Sequence, residues 1–584
     1  MCGIIGYVGE KHPKEILING LKRLEYRGYD SSGIALKNRS DIQIIKSKGK
    51  IKDLEEKVNI LEIIESNIGI AHTRWATHGR ANEVNAHPHK VGMVTLVHNG
   101  IIENASELKE KLSSVNFISE TDTEVACALI NKYYKGDALS AINKAISEIK
   151  GSYAFGILFD DNEKLYAVRK DSPLIVGIGE NENFIASDIA AIIEYTNKYI
   201  LLEEGEIAEI TKDKVIVTKE GKVIEKQIIV TDISQDDSDK CGYNHYMEKE
   251  IMEEPAVLMK TLAPYLDDID IIPDLSKYEE IHFVACGSAM YAGMIGKTLF
   301  EEYANLKCYV ECASEYRYKK VIYDRKTLVI LISQSGETAD TIAAMRKAKE
   351  NSIDTLAIVN VKTSTIAREC DFKLFIEAGP EIAVATTKAY LLQVAILSLL
   401  AYRSSGGKEK SFIDDAKRLP GLLTDILNKK EVLKNIANEI ANSKDAFFIG
   451  RGIDYAICLE GSLKLKEVAY THSEAYQAGE LKHGTISLIE KDVPVFAVIS
   501  DENIKDKTIS NIIEVKSRGA KIITVSNDEA ILEGEFKIVV PKVSKLLQPI
   551  LIVPTLQYIG YYVALLRGCD IDKPRNLAKS VTVE

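Results

Sequence analysis

One pattern in the second half of the chain occurs twice, and it constrains the fold more than any other feature. Ile332-Ser333, Thr341-Ile342 and Val359-Asn360 return as Ile499-Ser500, Thr508-Ile509 and Ser526-Asn527, each 167 positions later (499 − 332). Cys286-Gly287-Ser288 with Tyr291-Ala292 returns as Gly450-Arg451-Gly452 with Tyr455-Ala456, 164 positions later (450 − 286). The first copy reads as apolar run, small-residue turn, helix. Ile281–Ala285 leads into Cys286-Gly287-Ser288 and a helix over Met290–Tyr303. Thr327–Ile332 leads into Ser333-Gln334-Ser335-Gly336 and a helix over Thr338–Lys349. Such alternation predicts a doubly wound parallel sheet, here built twice.

The chain has 584 residues, room for about three to four domains. Its first 230 or so residues follow a different pattern. Short strand-like runs dominate: Gly3–Val8, Ile68–His72, Val94–His98, Ala154–Phe159 and Leu165–Val168. Helices are expected near 14–24 and 121–134, the second opening on the capping chemistry of Ser119-Glu120-Thr121-Asp122. This predicts α+β, with stacked, mostly antiparallel sheets and helices outside. Thr231–Tyr243 is polar and turn-rich and reads as a linker, followed by an amphipathic segment, His245–Leu266, broken at Pro255. The expected domains are 1–230, a linker and helical segment at 231–275, α/β units at 276–420 and 435–570, and a tail at 571–584.

Composition excludes several classes. The net charge is −12 with no basic block, a poor match to a nucleic-acid binder. The apolar stretches 389–402 and 549–566 fall short of about 20 uninterrupted apolar residues, so no membrane span is expected. No signal peptide is visible, and nine scattered cysteines without a CxxC pair fit reduced thiols in the cytoplasm.

Cys2 is the most informative single residue. Removal of Met1 would give it a free α-amine, which titrates near neutrality and can serve as base for its own thiol. Taken alone, Cys2 reads as a small buried hydrophobe. Its company changes the balance: Cys2-Gly3-Ile4-Ile5-Gly6, Arg23-Leu24-Glu25-Tyr26-Arg27-Gly28-Tyr29-Asp30, His72-Thr73-Arg74-Trp75-Ala76-Thr77-His78-Gly79, His98-Asn99-Gly100 and Ser119-Glu120-Thr121-Asp122. Together these closely resemble the glutaminase domain of the N-terminal-nucleophile (class II) glutamine amidotransferases, an αββα sandwich. The resemblance implies that Cys2 attacks the glutamine side-chain amide, with Asn99 and Gly100 as oxyanion hole. It implies that Arg74 and Asp122 hold the substrate's carboxylate and ammonium, with Thr77 and His78 supporting the pocket. It also makes Trp75, the only tryptophan, the gate of an internal ammonia channel. Five histidines lie between His72 and His98, but their spacings match no common zinc pattern, and no metal is expected.

Ser333-Gln334-Ser335-Gly336-Glu337-Thr338 sets hydroxyls and backbone N–H groups at a helix start, a good phosphate site, without a Walker lysine. The second copy has Ser-Asp-Glu-Asn-Ile-Lys there, with acidic residues against an anion. With Cys286-Gly287-Ser288, Glu381–Lys388, Glu460–Glu467, Glu474-Ala475-Tyr476 and Gly479–Gly484, this half resembles sugar isomerase (SIS) domains, which bind phosphosugars. The resemblance implies that Ser288, Ser333, Gln334, Ser335 and Thr338 hold the phosphate, with Val384 and Ala578 completing the sugar site. Lys579 would form a Schiff base, Glu467 would move a proton between C1 and C2 beside Lys464, and His483 would come from the other subunit of a homodimer. Ala289 stands where many relatives carry a second hydroxyl. Lys464 and Glu467 alone read equally as a surface ion pair worth under about 1 kcal/mol.

Together the two resemblances imply an enzyme moving ammonia from L-glutamine to D-fructose 6-phosphate, with no cofactor, nucleic-acid partner or membrane partner. They point to a bacterial type without end-product feedback. The rivals are another glutamine-dependent amidotransferase, which would need a phosphoribosyl-diphosphate or ATP site, and a non-catalytic phosphosugar sensor, which would not need Cys2.

Overall fold

The computed structural model describes every residue except 1, 40, 77–78, 232–238, 325, 532 and 582–584. Thr77, His78 and most of the expected linker therefore lie outside the described residues. The chain divides into two compact units, Met1–Asp239 with Ala578–Glu584, and Lys240–Leu577.

The amino-terminal unit holds, among the described residues, antiparallel sheets of eight and seven strands. Side chains alternate across each strand, so one strand feeds two apolar layers. Ile4 packs between the sheets with Ile70, Val97, Ala154 and Leu158. Its neighbour Ile5 points the other way, toward Leu17 and Leu21 of the helix Pro13–Leu24. On the far side, Phe155 and Ile157 pack under the helices Asp122–Tyr133 and Ala138–Glu148. The layers run helix, sheet, sheet, helix. Strand Gly3–Val8 is interior to its sheet, antiparallel to both Ile68–Arg74 and Asn183–Ala186. That places Cys2 at the end of a strand fixed on both sides.

Among the described residues, the second unit holds two five-stranded parallel sheets. In space the first runs Lys307–Cys312, Glu280–Ala285, Thr327–Ser333, Asp354–Val359, Phe372–Phe375. The second runs His472–Gln477, Asp445–Gly450, Pro494–Ile499, Lys521–Ser526, Phe536–Val539. Both have the order 2-1-3-4-5, so the sequence repeat is a repeat of topology. In such sheets ligands bind beyond the carboxyl ends of the strands where the order reverses. Ser333 and the turn after Ala285 sit at that place in the first sheet.

Two findings depart from expectation. The segment broken at Pro255 is one helix, Tyr246–Asp267, running through both Pro255 and Pro264. Each proline removes one backbone hydrogen bond, but Met247, Ile251, Leu258 and Leu262 are buried along the same face. Their burial, at about 1.5–3 kcal/mol each, outweighs the lost bonds. Second, the helix Gln548–Leu566 is long and apolar enough to cross a membrane by length and composition, and 89% of its apolar window is buried within the protein. It packs against the helices Ile453–Ala469 and Lys430–Ile440 in the core shared by the two repeats, which accounts for its apolar surface.

The terminal segment is tied down by Asp572. Its carboxylate accepts from Tyr246 N and Met247 N, both at 3.0 Å, capping the helix Tyr246–Asp267. Its carbonyl accepts from Val384 N at 3.0 Å. Residues to Leu577 belong to this unit, and Ala578–Glu584 group with the amino-terminal unit. Asp572→Ala removes the cap, and a loss of about 1 kcal/mol of stability is expected in denaturant titration. An unchanged midpoint would show that the carboxylate adds nothing to the anchor.

Candidate active site

In the amino-terminal unit the chain gathers a thiol, an amide and a guanidinium around the end of strand Gly3–Val8. Trp75 N donates to Cys2 Sγ at 3.4 Å, and the thiol lies 3.6 Å from Trp75 O. Asn99 lies on strand Val94–Ile102 of the other sheet. Its Nδ2 donates to Cys2 O at 3.0 Å and to Ser187 Oγ at 2.8 Å. Ser187 also accepts from Ile4 N at 2.8 Å, so one hydroxyl braces both the strand and the amide. Burial pushes the Cys2 thiol up. A thiol held this way needs a base nearby before it can attack.

Gly100 follows with φ +137°, and a Cβ there would meet Ser152 O at 2.1 Å, so only glycine fits. Arg74 ends its strand, 3% exposed, with its guanidinium 3.3 Å from Arg80 O and Gly79 O. Burial pulls it down, while Cys2, Asp30 and Asp122 act to hold its charge. Asp122 opens the helix Asp122–Tyr133 and accepts from Ile102 N at 2.8 Å. The Trp75 ring meets Tyr29 edge-on, centroids 5.6 Å apart. His72 and His87 hydrogen-bond to each other, and His98 and His89 to the hydroxyls of Thr123 and Thr121; among the described residues no group of three or more His, Cys, Asp or Glu is arranged to hold a metal.

In the second unit, Ser333 Oγ accepts from Gly336 N at 3.1 Å and pairs with Thr338 Oγ1 at 3.0 Å. Ser335 Oγ accepts from Glu337 N at 3.2 Å. The turn closes on itself because Gly336 has φ +64°, and a Cβ there would strike Ser364 Oγ at 2.1 Å. Ser288 lies in the first turn of the neighbouring helix Gly287–Leu299 and is buried. The hydroxyls thus gather at the switch point, at the start of the helix Ala339–Glu350, where an anion is favoured.

Lys464 and Glu467 are no surface pair. Lys464 has no exposed side-chain surface, and its ammonium lies 2.6 Å from Glu467 and 3.4 Å from Glu460. Burial acts to lower Lys464, but the two carboxylates outweigh it and hold it above its ordinary value. Glu460 is 1% exposed, and burial raises it from 4.5 to about 7 against the pull of Lys464. Sequence reasoning gave Glu460 no role, although its i,i+4 spacing to Lys464 was a usable signal. Glu381 caps the helix Lys388–Ser404, accepting from Thr387 N and Ala389 N at 3.0 Å each. This fixes the segment that carries Val384. His483 is exposed on the turn Glu480–His483. Ala578 and Lys579 belong to the stretch grouped with the amino-terminal unit.

The second copy fills its switch point from within. Asp454, 1% exposed, accepts from Ser500 N at 2.9 Å and from the Ser500 hydroxyl. Ser500 is the repeat counterpart of Ser333. A carboxylate of the chain itself therefore occupies the Ser500 donors, whereas the Ser333 hydroxyl pairs within its own turn.

Comparison with known proteins agrees with both halves. A glutamine amidotransferase domain model matches residues 72–194, and a SIS domain model matches 274–403 and 439–567. A glutamine–fructose-6-phosphate aminotransferase (isomerizing) from Clostridium tetani is 48% identical across 100% of both chains. One of the same name from Thermus thermophilus is 42% identical, again across the whole of both. This chain belongs to the glutamine–fructose-6-phosphate aminotransferase (isomerizing) family. A solved structure, the carboxyl-terminal domain of the Francisella tularensis glucosamine-fructose-6-phosphate aminotransferase, matches with a TM-score of 0.55 at 35% identity. It covers 57% of this chain and 99% of its own. A Thermotoga maritima glucosamine-6-phosphate deaminase shares the fold, with a TM-score of 0.50 at 24% identity, covering 58% of this chain and 100% of its own.

Two expected outcomes follow from this geometry. The folded Glu460 carboxyl keeps a proton that the unfolded one loses between pH 4.5 and about 7. Unfolding free energy therefore falls as pH rises through that window. Glu460→Gln removes this contribution, so denaturant titrations at pH 5 and pH 7.5 should show a smaller loss for the variant; equal losses would contradict a raised Glu460. Gly336→Ala has no room for its methyl group and should weaken sugar-phosphate binding at least tenfold by calorimetry. Unchanged affinity would mean the turn is not the phosphate seat.

Proposed function

We propose that the two halves work in sequence on one chain. The reaction is the family's: the amide nitrogen of L-glutamine passes to D-fructose 6-phosphate, and isomerisation yields D-glucosamine 6-phosphate and L-glutamate. Cys2 attacks the glutamine amide, the α-amine exposed by removal of Met1 taking the thiol proton. Asn99 Nδ2 and Gly100 N–H receive the oxyanion, Arg74 pairs with the substrate carboxylate, and Asp122 holds its ammonium, with Thr77 and His78 closing the pocket. An oxyanion donor of this kind is worth about 3–4 kcal/mol. Ammonia leaves, and water cleaves the thioester. Trp75, whose backbone touches the thiol, gates the passage of ammonia.

At the second half-site Ser288, Ser333, Gln334, Ser335 and Thr338 bind the phosphate, with Val384 and Ala578 along the sugar. Lys579 forms the Schiff base with the sugar carbonyl. Glu467, held by Lys464, carries a proton from C1 to C2, turning the ketose imine into an aldose amine. His483 assists ring opening from the other subunit of a homodimer, which fits its exposure on this chain. The domains follow as glutaminase 1–230, linker and helix 231–275, SIS 276–420 and 435–570, and catalytic tail 571–584. Free thiols at all nine cysteines suit a cytoplasmic enzyme, and the product suits amino sugar synthesis. The observation that carries this reading is the seating of the Asn99 amide against Cys2 in a chain that also holds the buried Lys464–Glu467 pair.

Partial reactions separate the roles. Cys2→Ala should abolish glutamate release. Lys579→Arg should abolish amino-sugar formation while leaving glutamate release within about threefold. Trp75→Ala should release glutamate without matching amino sugar. A Cys2→Ala protein that still makes glutamate, or a Lys579→Arg protein with full synthase activity, would overturn the respective assignment.

A further inference from the structure

An asparagine side chain can present either its oxygen or its NH2 to a neighbour, and only the NH2 can stabilise an oxyanion. The surroundings of Asn99 admit one orientation. Cys2 O, 3.0 Å away, is a carbonyl and can only accept, so the nitrogen faces it. The oxygen Oδ1 then faces His72 Nε2 at 3.1 Å. That same ring nitrogen lies 2.9 Å from His98 O, another atom that can only accept. Two acceptors at one nitrogen require the proton there, so His72 is the Nε2–H tautomer. His87 Nδ1, 3.1 Å from His72 Nε2, is then the unprotonated nitrogen of its own ring.

A histidine at this position carries a cost. His72 is fully buried, and its Nδ1 is buried without a hydrogen-bond partner. An apolar side chain would fill the same space without that penalty. Burial holds His72 down at about 3 and His87 well below its ordinary range, so both rings are uncharged at neutral pH. The compensating gain is local. His72 lies on strand Ile68–Arg74, opposite Ile4 in the sheet that carries Cys2, and reaches across to Asn99 in the other sheet.

We propose that His72 is a positioning residue for the oxyanion hole, its Nε2–H locking the Asn99 amide with Nδ2 turned toward Cys2 before substrate arrives. This rests on the reading of Asn99 as the oxyanion donor. It needs no charge on His72 and no contact with substrate. The lock reaches the chemistry only through Asn99.

The test uses four variants of the full chain: His72→Gln, His72→Asn, His72→Leu and Asn99→Ala. A glutamine amide nitrogen overlays imidazole Nε2, whereas an asparagine amide nitrogen overlays Nδ1. Steady-state glutamate release gives kcat and KM for glutamine. Inhibition by the aldehyde analogue of glutamine, which the thiol converts to a tetrahedral adduct, reads the oxyanion hole directly. His72→Asn and His72→Leu should lose about 100-fold in kcat with KM within threefold, and aldehyde affinity should fall by a similar factor. His72→Gln should recover to within about tenfold of the parent. Equal kcat for the Gln and Asn variants would overturn the inference even if the Leu variant does not fold. So would a kcat near the parent's in all His72 variants while Asn99→Ala collapses, and the oxyanion reading would then survive. An unaffected Asn99→Ala would instead remove the oxyanion reading itself.

Discussion

A lysine ammonium with no exposed surface sets the terms for the second unit. Removing such a charge from water costs several kcal/mol unless it is closely paired. Lys464 is paired twice, to Glu467 at 2.6 Å and Glu460 at 3.4 Å. The three lie on one face of the helix Ile453–Ala469, which is packed against the apolar helix Gln548–Leu566. The dry surroundings raise Glu460 to about 7, so this cluster can hold one proton more or less near neutrality. Glu467 is the partner that keeps surface, 21% of its side chain. Charge, packing and the proposed proton transfer are one arrangement seen at three scales.

The amino-terminal unit solves a different problem. A thiol, an amide and a guanidinium must meet at a place where no side chain is free to wander. Pairing Gly3–Val8 on both sides fixes Cys2, and two facing sheets bring Asn99 to it from the other layer. Ser187 and the strand geometry at Gly100 complete the frame. The duplicated unit shows the same economy in reverse. Its second switch point keeps the serine of the first but satisfies it with Asp454, whereas Ser333 pairs with Thr338 and Gly336 of its own turn.

Much of this was legible in the sequence because it is local. The 167-residue shift reports a shared strand order, and the Ser333–Thr338 turn announces its hydroxyls in six consecutive residues. The helix near 121–134 was marked by the cap at Thr121, whose side chain accepts from Glu124 N. What stayed hidden depends on partners distant in the chain. Asp454 meets Ser500 across 46 residues and His72 meets Asn99 across 27, with no pattern in either segment to pair them. Pro255 misled because its effect on a helix is local, whereas the burial that holds that helix together is not. Lys464 and Glu467 taken alone read equally as a surface ion pair, because burial cannot be read from an i,i+3 spacing.

The central claim is that one chain both frees ammonia at Cys2 and fixes it on a phosphosugar. The most direct measurement supplies D-fructose 6-phosphate with glutamine labelled with ¹⁵N at its side-chain amide and an excess of unlabelled ammonium in the buffer. Mass spectrometry of the hexosamine phosphate then reads the origin of its nitrogen. Nitrogen passed internally predicts product that is almost wholly ¹⁵N. Product carrying the isotope ratio of the buffer, or glutamate formed with no amino sugar, would contradict the account.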